Sequence, residues 1–433
     1  MASTERRKPS PPLKETSYNL ATRRFLLRPS WYIEDILCGL QLGIAHFLIV
    51  FFTYSVVPEP YMDEIFHIRQ TRRYCKGDFS WDPMITTPPA LYFLALPFCK
   101  YGLERYVNTF LIILLYIGCC RFRRLFTRSH IKLTSLVVCL LPVLLHTAAL
   151  FYTDVLSLCA VVWAFTLGTS NAAVCFLIAC CARQTNIVWA GFYALVRMYH
   201  HYDEVRPIRG LFKSILKLWP FLLLATGFLA FLILNGGIVL GDPKAHQAKP
   251  HFAQLLYFLA FAAAHSSPQA LPFIGELVAG CFTKLYAGLC LLFVVVAKYF
   301  TYDHPYLLAD NRHVPFYLWR WFLRHESIRL AVTPIYAAAA LFLLKMSSSI
   351  PRLIQVLFIA ATAATLVPAH LIEPRYFIIP YVLWRLSASP TPIRCIIIIE
   401  ILMNFGVFSW YFFLFLYRPF EWSHEPGTQR FMW

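Results

Sequence analysis

Residues 58–92 have the sequence PEPYMDEIFHIRQTRRYCKGDFSWDPMITTPPALY. The stretch holds two adjacent carboxylates, Asp63 and Glu64, a histidine at position 67, and four basic residues. It directly follows an apolar run at about residues 36–57, which is long enough to cross a bilayer. Polar chemistry this dense at the end of a membrane span indicates a reaction site, and we expect the rest of the chain to be arranged around it.

The composition of the whole chain is that of a membrane protein. Of its 433 residues, 59% are hydrophobic and 14% are charged, whereas soluble domains carry roughly 25% charged residues. Apolar runs of spanning length recur to the end and predict about 11 to 13 crossings. The sequence therefore predicts an all-α polytopic membrane protein. We expect a basic tail at residues 1–33, one transmembrane domain at 34–417 with a first loop from about 58 to 104, and a C-terminal tail at 418–433.

The net charge of +17 would indicate nucleic acid in a soluble chain. Here the basic residues lie between apolar runs, mainly at 6–28, 121–132 and 206–217. We attribute them to membrane orientation and to contact with anionic membrane lipid, and we expect no nucleic-acid partner. The positive-inside rule then places these segments in the cytosol and the loop containing Asp63 on the opposite side. The side of the C-terminus stays open.

The 13 cysteines lie almost all inside apolar runs, and none has the CxxC spacing of a metal site. We interpret them as small residues of a membrane-buried core. We therefore expect neither a disulfide framework nor a metal site.

Two further polar clusters are candidates for anion binding. Arg183, Gln184 and Asn186 stand between two short apolar runs, where an arginine normally faces a cavity or a partner. The hypothesis is that the planar guanidinium fork of Arg183 binds a phosphate, and the alternative is that it extends to the membrane surface. The same reasoning applies to residues 373–376, where Glu373 and Arg375 either bind substrate or simply pair with each other.

Other polar residues give weaker signals. Asp242 and His246 match no standard metal spacing, so we interpret them as part of a polar turn. Residues 310–313 offer donors and acceptors of the kind that bind sugar hydroxyls. Trp81 and Tyr92 are either interfacial aromatic residues or platforms for a sugar ring.

Glu400 stands alone in a strongly apolar segment. A carboxylate at that depth is either paired inside the bundle or part of a pathway through it. The sequence does not decide between these two alternatives.

Several longer motifs resemble a known family. They are YMDEIFHIxQxxxYC followed by FSWDPxITTxPxLY, RQTNIVW at 183–189, HPYLLADNRH at 304–313, EPRYF at 373–377, and QRFMW at 429–433. Together they resemble the dolichyl-phosphoglucose-dependent α-1,2-glucosyltransferases of the endoplasmic reticulum, over nearly the whole chain. The chain departs from that pattern at Arg69, where the family usually has proline, and at Asp154, where glutamate is common. The segment between Tyr92 and Tyr106 also looks shortened.

The resemblance implies a membrane-embedded glycosyltransferase of the GT-C class with a luminal active site. The donor would be dolichyl-phosphate-glucose and the acceptor the diglucosylated, dolichyl-diphosphate-linked oligosaccharide used for protein N-glycosylation, with no cofactor. Members of this class carry an essential acid in the first luminal loop, and Asp63 occupies that place.

The bond that such an enzyme makes indicates the groups it needs. Forming an α-linked product from a β-linked donor in one displacement inverts the anomeric carbon and requires one base, while the departing phosphate needs positive charge near it. We therefore predict Asp63 as the base, and Glu64 as the second carboxylate of the catalytic site, which together with Asp154 orients the reacting groups. Arg183, Arg375 and His67 are predicted to surround the donor phosphate. The remaining predicted substrate-binding residues are Trp81, Tyr92, Asp154, Gln184, Asn186, Asp242, His246, Asp310, Asn311, Arg312, His313, Glu373 and Tyr376.

Two other classes of protein fit parts of the pattern. A polytopic transporter or flippase for a phosphate-bearing lipid or sugar also has many spans with charged residues inside the membrane. However, no repeated halves are visible, and the polar clusters gather on one side. An inactive scaffold of the same fold should have lost some of the acidic and arginine positions, and none appears lost.

Overall fold

A computed structural model of the chain describes residues 32–204, 212–213, 215–241, 248–389, 393–423 and 425–433. Nearly all regular structure in these ranges is helical, which confirms the predicted all-α membrane fold. The predicted basic tail lies outside the described residues up to position 31. The first half of the chain forms α1 Ile33–Val56, α2 Glu64–Cys75, α3 Ala90–Leu94, α4 Leu96–Cys99, α5 Val107–Arg123, α6 Ile131–Cys139, α7 Pro142–Ala149, α8 Asp154–Thr166, α9 Thr169–Cys180 and α10 Asn186–Glu204.

The second half is helical up to residue 417. It forms α11 Trp219–Asn235, α12 Ala253–His265, α13 Ile274–Gly280, α14 Lys284–Tyr299, α15 Pro305–Ala309, α16 Val314–Leu318, α17 Glu326–Ala331, α18 Thr333–Met346, α19 Arg352–Leu366, α20 Ile378–Ser387 and α21 Arg394–Tyr417. Short 3₁₀ segments lie at Glu104–Tyr106, Ser267–Phe273 and Pro374–Phe377, and one π-helical turn lies at Trp319–Leu323.

The C-terminal segment departs from the all-helical pattern. Strands β1 Phe420–Trp422 and β2 Glu425–Gln429 pair in antiparallel register, with an irregularity between Glu421 and Trp422. Residues 430–433 then run back toward the bundle, where Met432 forms an isolated parallel bridge with His313. The predicted C-terminal tail is therefore ordered and packed on the rest of the protein.

The apolar helices of the described residues are either long enough to cross a bilayer or too short for a straight crossing. Four helical stretches are long and apolar enough to cross a bilayer, and two further bent pairs qualify if each pair is one span. The remaining apolar helices have 10–17 residues, shorter than the roughly 20 residues that a straight crossing needs. A polytopic membrane protein follows from these helices, while the predicted number of crossings stays a prediction.

The sequence has apolar runs at 131–150 and 277–300, each of which predicts a continuous span, and both are bent in the structure. The run at 131–150 divides into α6 and α7 at an angle of 61°, because Pro142 at the start of α7 cannot continue the helix of the preceding turn. The run expected at 277–300 includes a bend of 88° between Ser267–Gly280 and Lys284–Tyr299.

The contacts of α1 define two ends of the bundle. At its start, Glu34 and Asp35 form ion pairs with Lys132 and Arg124. We call this the arginine end. At the other end of α1 begins the first loop, residues 58–104, and we call this the loop end. Asp63 and the basic segment at 121–132 thus lie at opposite ends of α1.

A disulfide joins Cys75 and Cys99, with their Cα atoms 6.4 Å apart. This corrects the expectation that the chain has no disulfide. The two residues end α2 and α4, which pack against each other within the first loop. Their separation of 24 residues matches no recognisable motif, so only the fold reveals the pair.

Helix α20 is fixed in the bundle by buried arginines. Arg385 donates to the Glu400 carboxylate of α21 at 2.8 and 2.6 Å, and both side chains are buried. Arg123 donates to the carbonyl oxygen of Leu386 at 2.8 Å and also to that of Ala388, near the C-terminal end of the helix. Glu400 is therefore paired inside the bundle, and α20 holds the segment that precedes it, residues 373–377, at the loop end.

Candidate active site

The first loop is fixed by Glu64, the first residue of α2. Its carboxylate accepts hydrogen bonds from the Arg105 side chain at 2.7 and 2.8 Å, from the N–H of Phe151 at 2.9 Å and from the N–H of Tyr61 at 3.1 Å. The Glu64 and Arg105 side chains are fully buried. Because both of its carboxylate oxygens are occupied, Glu64 is placed to orient its neighbour Asp63. It holds the loop in place.

Asp63 lies immediately before α2 and points away from the helix. Met62 has a φ of 58°, in the left-handed region that non-glycine residues seldom adopt. The Asp63 side chain does not cap α2, although aspartate at this position usually does. Its Oδ2 instead accepts a hydrogen bond from Arg375 Nη1 at 3.0 Å. Oδ1 has no hydrogen-bond partner among the described residues, and the side chain is 46% exposed.

Arg375 is held by carboxylates and aromatic rings. Its Nε lies 3.2 Å from Glu373 Oε1, and that oxygen accepts a hydrogen bond from Trp433 Nε1 at 2.7 Å. The guanidinium carbon lies 5.1 Å from the ring centroid of Tyr152 and 5.5 Å from that of Trp433, within cation–π range. An ordered series of contacts therefore runs from Trp433 through Glu373 and Arg375 to Asp63.

A second arginine–carboxylate pair contributes to the same electrostatic field. Arg183 lies in the turn between α9 and α10, and its Nη2 is 2.9 Å from Oδ1 of Asp154, the first residue of α8. Its Nε donates to Thr153 Oγ1 at 3.3 Å. Nη1 has no hydrogen-bond partner in the described part of the chain. The charge of Asp154 also acts on Arg375, which places the two pairs close together.

The charges of the site keep its carboxylates ionised. Burial is the largest single effect on the pKa of Asp63 and raises it, but the charge and the hydrogen bond of Arg375, together with the neighbouring His67 and His313, hold that pKa below its usual value. Glu373 shows the same balance, since burial raises its pKa, while the charge of Arg375, the neighbouring His313 and the hydrogen bonds from Trp433 and Arg375 together hold that pKa below its usual value. The site thus combines the carboxylates of Asp63, Glu373 and Asp154 with two guanidinium groups.

His67 is buried one turn after Asp63. Its Nδ1 lies 2.8 Å from the hydroxyl of Tyr92. Burial lowers the pKa of His67 to about 4, although the charge of Asp63 acts in the opposite direction. His67 is therefore neutral near pH 7, so its predicted contact with the donor phosphate stays a prediction and would be a hydrogen bond rather than an ion pair.

Three residues predicted to bind substrate are internal instead. Tyr92 is fully buried beside His67. Gln184 donates to the carbonyl oxygen of Thr86 at 2.7 Å. Asn186 donates to Ser157 Oγ at 2.7 Å and is fully buried. These contacts hold the first loop and the turn after α9 together, so the three side chains support the site without reaching its open side.

The segment 310–313 packs against the C-terminal hairpin. Asp310 accepts hydrogen bonds from the guanidinium of Arg312 at 2.8 Å, and Arg312 also donates to Gln429 Oε1 at 2.8 Å. Asn311 Oδ1 accepts from Trp422 Nε1 at 2.8 Å. His313 lies between the hairpin and the site, with its ring centroid 6.1 Å from that of Trp433.

The other predicted residues are placed as follows. Trp81 is half-buried with its ring centroid 6.2 Å from that of Tyr92, and its indole nitrogen has no hydrogen-bond partner among the described residues. Tyr376 is close enough to Glu373 and Arg375 for their charges to act on its hydroxyl group. Asp242 and His246 lie outside the described residues. In the described ranges, no group of three or more His, Cys, Asp or Glu side chains is arranged to hold a metal ion.

Sequence reasoning missed Trp433, Tyr152 and Arg105. Trp433 is within the motif QRFMW that contributes to the family resemblance, so a signal for it existed. Tyr152 precedes Asp154 by two residues, and an aromatic residue at the end of an apolar run is typical of the membrane interface, so the sequence does not mark it as part of the site. Nothing in the sequence near Arg105 links it to Glu64, which lies 41 residues earlier.

The loop end thus holds two arginine–carboxylate pairs, and Asp63 Oδ1 is open to a ligand. This arrangement is expected of a membrane enzyme that acts on an anionic substrate. A family model described as the DIE2/ALG10 family matches residues 57–211 and 204–386. The chain belongs to this family.

Relatives in several organisms cover most of the chain. A human protein is 34% identical in an alignment of 442 positions that covers 87% of this chain and 93% of the relative. A protein of Arabidopsis thaliana is 31% identical in an alignment of 490 positions that covers 87% of this chain and 96% of the relative. Both are named Dol-P-Glc:Glc(2)Man(9)GlcNAc(2)-PP-Dol alpha-1,2-glucosyltransferase. No solved structure matches the chain.

Proposed function

We propose that this protein transfers a glucose in α-1,2 linkage from dolichyl-phosphate-glucose to the diglucosylated, dolichyl-diphosphate-linked oligosaccharide used for protein N-glycosylation. The names of its relatives give the activity and both substrates. The observation that supports it in the structure is the Asp63–Arg375 pair beside Arg183, which joins an ionised carboxylate with an open oxygen to cations for a phosphate.

The proposed chemistry is a single inverting displacement in a GT-C type bundle. Asp63 Oδ1 accepts the proton of the acceptor 2-hydroxyl as its oxygen attacks the anomeric carbon of the donor glucose, and the bond from that carbon to the phosphate oxygen breaks. The departing phosphate is a stable anion and takes no proton from the protein. Arg375 and Arg183 stabilise its charge, which is the largest contribution expected in such a site.

We propose that the loop end faces the lumen of the endoplasmic reticulum, with the N-terminal segment in the cytosol. The disulfide between Cys75 and Cys99 supports this orientation, because disulfides persist in oxidising compartments and are rare in the cytosol. Arg124 and Lys132 at the arginine end agree with the positive-inside rule. Labelling of a cysteine at position 63 only from the cytosolic side of sealed vesicles would refute the proposed orientation.

The transporter hypothesis receives no support from the relatives, which are named as transferases. We further propose that transfer needs no metal cofactor, since the two guanidinium groups supply the charge that the departing phosphate requires. Activity that survives extensive chelation is expected, and activity restored only by an added divalent cation would refute it.

The experiment that tests the function is transfer by the purified protein in vitro. Dolichyl-phosphate-glucose is supplied with lipid-linked acceptors bearing one, two or three glucoses, and products are separated by mass and anomeric configuration. We expect one α-linked glucose to be added to the diglucosylated acceptor and little addition to the other two. Absence of transfer to the diglucosylated acceptor by protein that is folded and binds donor would refute the proposal.

A further inference from the structure

Helix α2 carries a basic face that the proposed chemistry does not use. Arg69, Arg72, Arg73 and Lys76 follow one another at helical intervals of three, one and three residues, so they lie on one side of the helix. They line a concave opening of about 300 Å³ together with Pro60, Ile65 and Ile68. We call these four basic residues the α2 cluster.

Buried carboxylates orient two members of the cluster without covering them. Arg72 donates its Nε to Glu104 at 2.8 Å, and Arg69 forms an ion pair with Asp82. The two carboxylates are at most 7% exposed, whereas the side chains of the arginines are 51% and 49% exposed. The terminal nitrogens of Arg72 have no partner among the described residues and remain open to a ligand.

The other two members have no ion-pair partner. Neither Arg73 nor Lys76 lies within salt-bridge distance of a carboxylate in the described residues. Lys76 is exposed and Arg73 is half-buried. Two pre-oriented guanidinium forks next to two unpaired cations favour a ligand with several anionic oxygens, because arginine binds phosphate oxygens in pairs.

The cluster lies near the membrane surface. Phe79 and Phe93 pack around Tyr74 of α2, with ring centroids 5.2 and 5.1 Å from that of Tyr74. They are nevertheless 62% and 49% exposed. Exposed aromatic residues beside the end of a membrane span indicate contact with the lipid interface, which is the depth at which the phosphates of a lipid-linked substrate lie.

The reaction needs a second anion site at this depth. Donor and acceptor are both lipid-linked, and the acceptor name of the relatives includes a diphosphate, PP. The donor phosphate and the acceptor diphosphate are present together, so Arg375 and Arg183 cannot serve both. The cluster lies about 9 to 20 Å from Asp63 along α2, at a rise of 1.5 Å per residue. The acceptor glycan in the name of the relatives, Glc(2)Man(9)GlcNAc(2), is long enough to span that distance.

We propose that the α2 cluster binds the diphosphate of the lipid-linked acceptor while its glucose end reaches Asp63. This inference rests on the proposed function and adds a binding site to it. The site determines how the acceptor is anchored, and it has no part in the displacement itself.

The test is the double substitution Arg73→Gln with Lys76→Gln, measured with the full-length enzyme. These two side chains have no ion pair, so their loss leaves the packing of α2 in place. We expect the KM for the lipid-diphosphate acceptor to rise about tenfold, equivalent to one or two lost charged contacts, while the KM for the donor is unchanged. With the same oligosaccharide released from its diphosphate lipid, the variant and the wild type are expected to behave alike.

The matched control is Lys100→Gln, an exposed lysine of the same loop outside the cluster, for which no change is expected. Equal acceptor KM values in the double variant and the wild type would overturn the inference while leaving the proposed function intact. If the wild type itself transfers no glucose, the proposed function has failed.

The membrane composition separates the acceptor diphosphate from phospholipid head groups. In neutral phosphatidylcholine vesicles the defect should persist. A defect seen only in vesicles containing phosphatidylserine, and equal for acceptors with and without the diphosphate, would assign the cluster to membrane phospholipid and overturn the inference. If the double variant is not monodisperse, Lys76→Glu alone is measured, and an unchanged donor KM verifies its fold.

Discussion

Asp63 and Arg375 are 312 residues apart in the sequence, and their side chains are joined by a hydrogen bond of 3.0 Å. The pair connects the first residues after the first membrane helix with the segment before α20. Each partner has a separate support, since Glu64 and Arg105 hold the first loop, and Glu373 with Trp433 holds the arginine. The alignment of the proposed base with its cation therefore depends on contacts among four distant parts of the chain.

Replacing Asp63 by asparagine should abolish transfer while donor binding persists. Asparagine preserves the size of the side chain but cannot accept a proton near neutral pH, and a general base contributes about 10²–10⁴-fold. The rate is measured with purified enzyme, and donor binding is measured separately. The control Glu59→Gln changes an exposed carboxylate of the same loop and should retain the wild-type rate. An Asp63→Asn enzyme that keeps most of its rate would show that the base lies elsewhere.

Replacing Arg183 by lysine should impair use of the donor more than use of the acceptor. Lysine retains the charge but loses the planar fork that contacts Asp154, Thr153 and the phosphate together. We expect the donor KM to rise about tenfold in steady-state assays. Arg128→Lys, at an exposed position near the arginine end, is the control. Unchanged donor KM and turnover in Arg183→Lys would refute the phosphate role.

Trp433→Phe should lower turnover only because Glu373 and Arg375 are then positioned less well. Phenylalanine keeps an aromatic ring near Arg375 but removes the N–H that donates to Glu373. Hydrogen bonds to charged groups contribute about 1.5–3 kcal/mol, so a decrease of roughly 10- to 100-fold in kcat is expected, with donor KM changed less. The lipid-exposed Trp410→Phe serves as comparison. Equal turnover in both variants would mean that the indole N–H does not order the site.

The pH dependence of transfer should respond to the charge at position 375. In the wild type the pKa of Asp63 is below its usual value, so Asp63 stays ionised and the rate holds as pH falls from 7 to about 5. In Arg375→Gln the lowering charge is lost while burial still raises the pKa, so the acid limb of the rate profile should move to higher pH. Arg375→Lys keeps the charge, and its acid limb should stay near that of the wild type. Identical acid limbs in all three enzymes would show that the charge at position 375 does not set the pKa of Asp63.

Arg105→Ala should destabilise the folded protein far more than loss of a surface pair. It leaves the Glu64 carboxylate buried without its main partner, and breaking a buried pair costs about 3–5 kcal/mol. Lys132→Ala removes a solvent-exposed pair with Glu34 and should change stability little, because water screens such pairs. The stability of each variant is measured as the temperature at which the protein in detergent ceases to be monodisperse. A similar transition temperature for the two variants would contradict the anchoring role of Glu64.

Residues with a local signal could be predicted from the sequence. Asp63, Arg183 and Arg375 are charged residues at the ends of apolar runs, and the cost of placing charge there made them candidates without any knowledge of the fold. The helical class followed from composition in the same way. The bend at Pro142 had a local signal as well, but the apolar run around it was long enough to conceal the break.

Residues defined only by contact partners could not be predicted. The burial of Glu64 depends on Arg105, and the disulfide depends on how α2 packs against α4, which no spacing rule provides. Tyr92 and Asn186 looked like ligands for a sugar because both are polar or amphipathic residues near charged motifs. Their hydrogen bonds turn inward in the folded chain, and only the packing of their helices decides this.

The position of Trp433 sets the time at which the enzyme can become active during biosynthesis. Residues 420–433 follow α21 in the chain, so the ribosome makes them after every membrane helix in the described ranges has been synthesised. Until then, Glu373 lacks its indole donor and the Arg375 guanidinium lacks one of its two aromatic neighbours. A chain in which residues 420–433 have not yet been made therefore contains the proposed base and both arginines but not the contacts that align them, and we expect glucose transfer to begin only after the hairpin has folded onto the loop end.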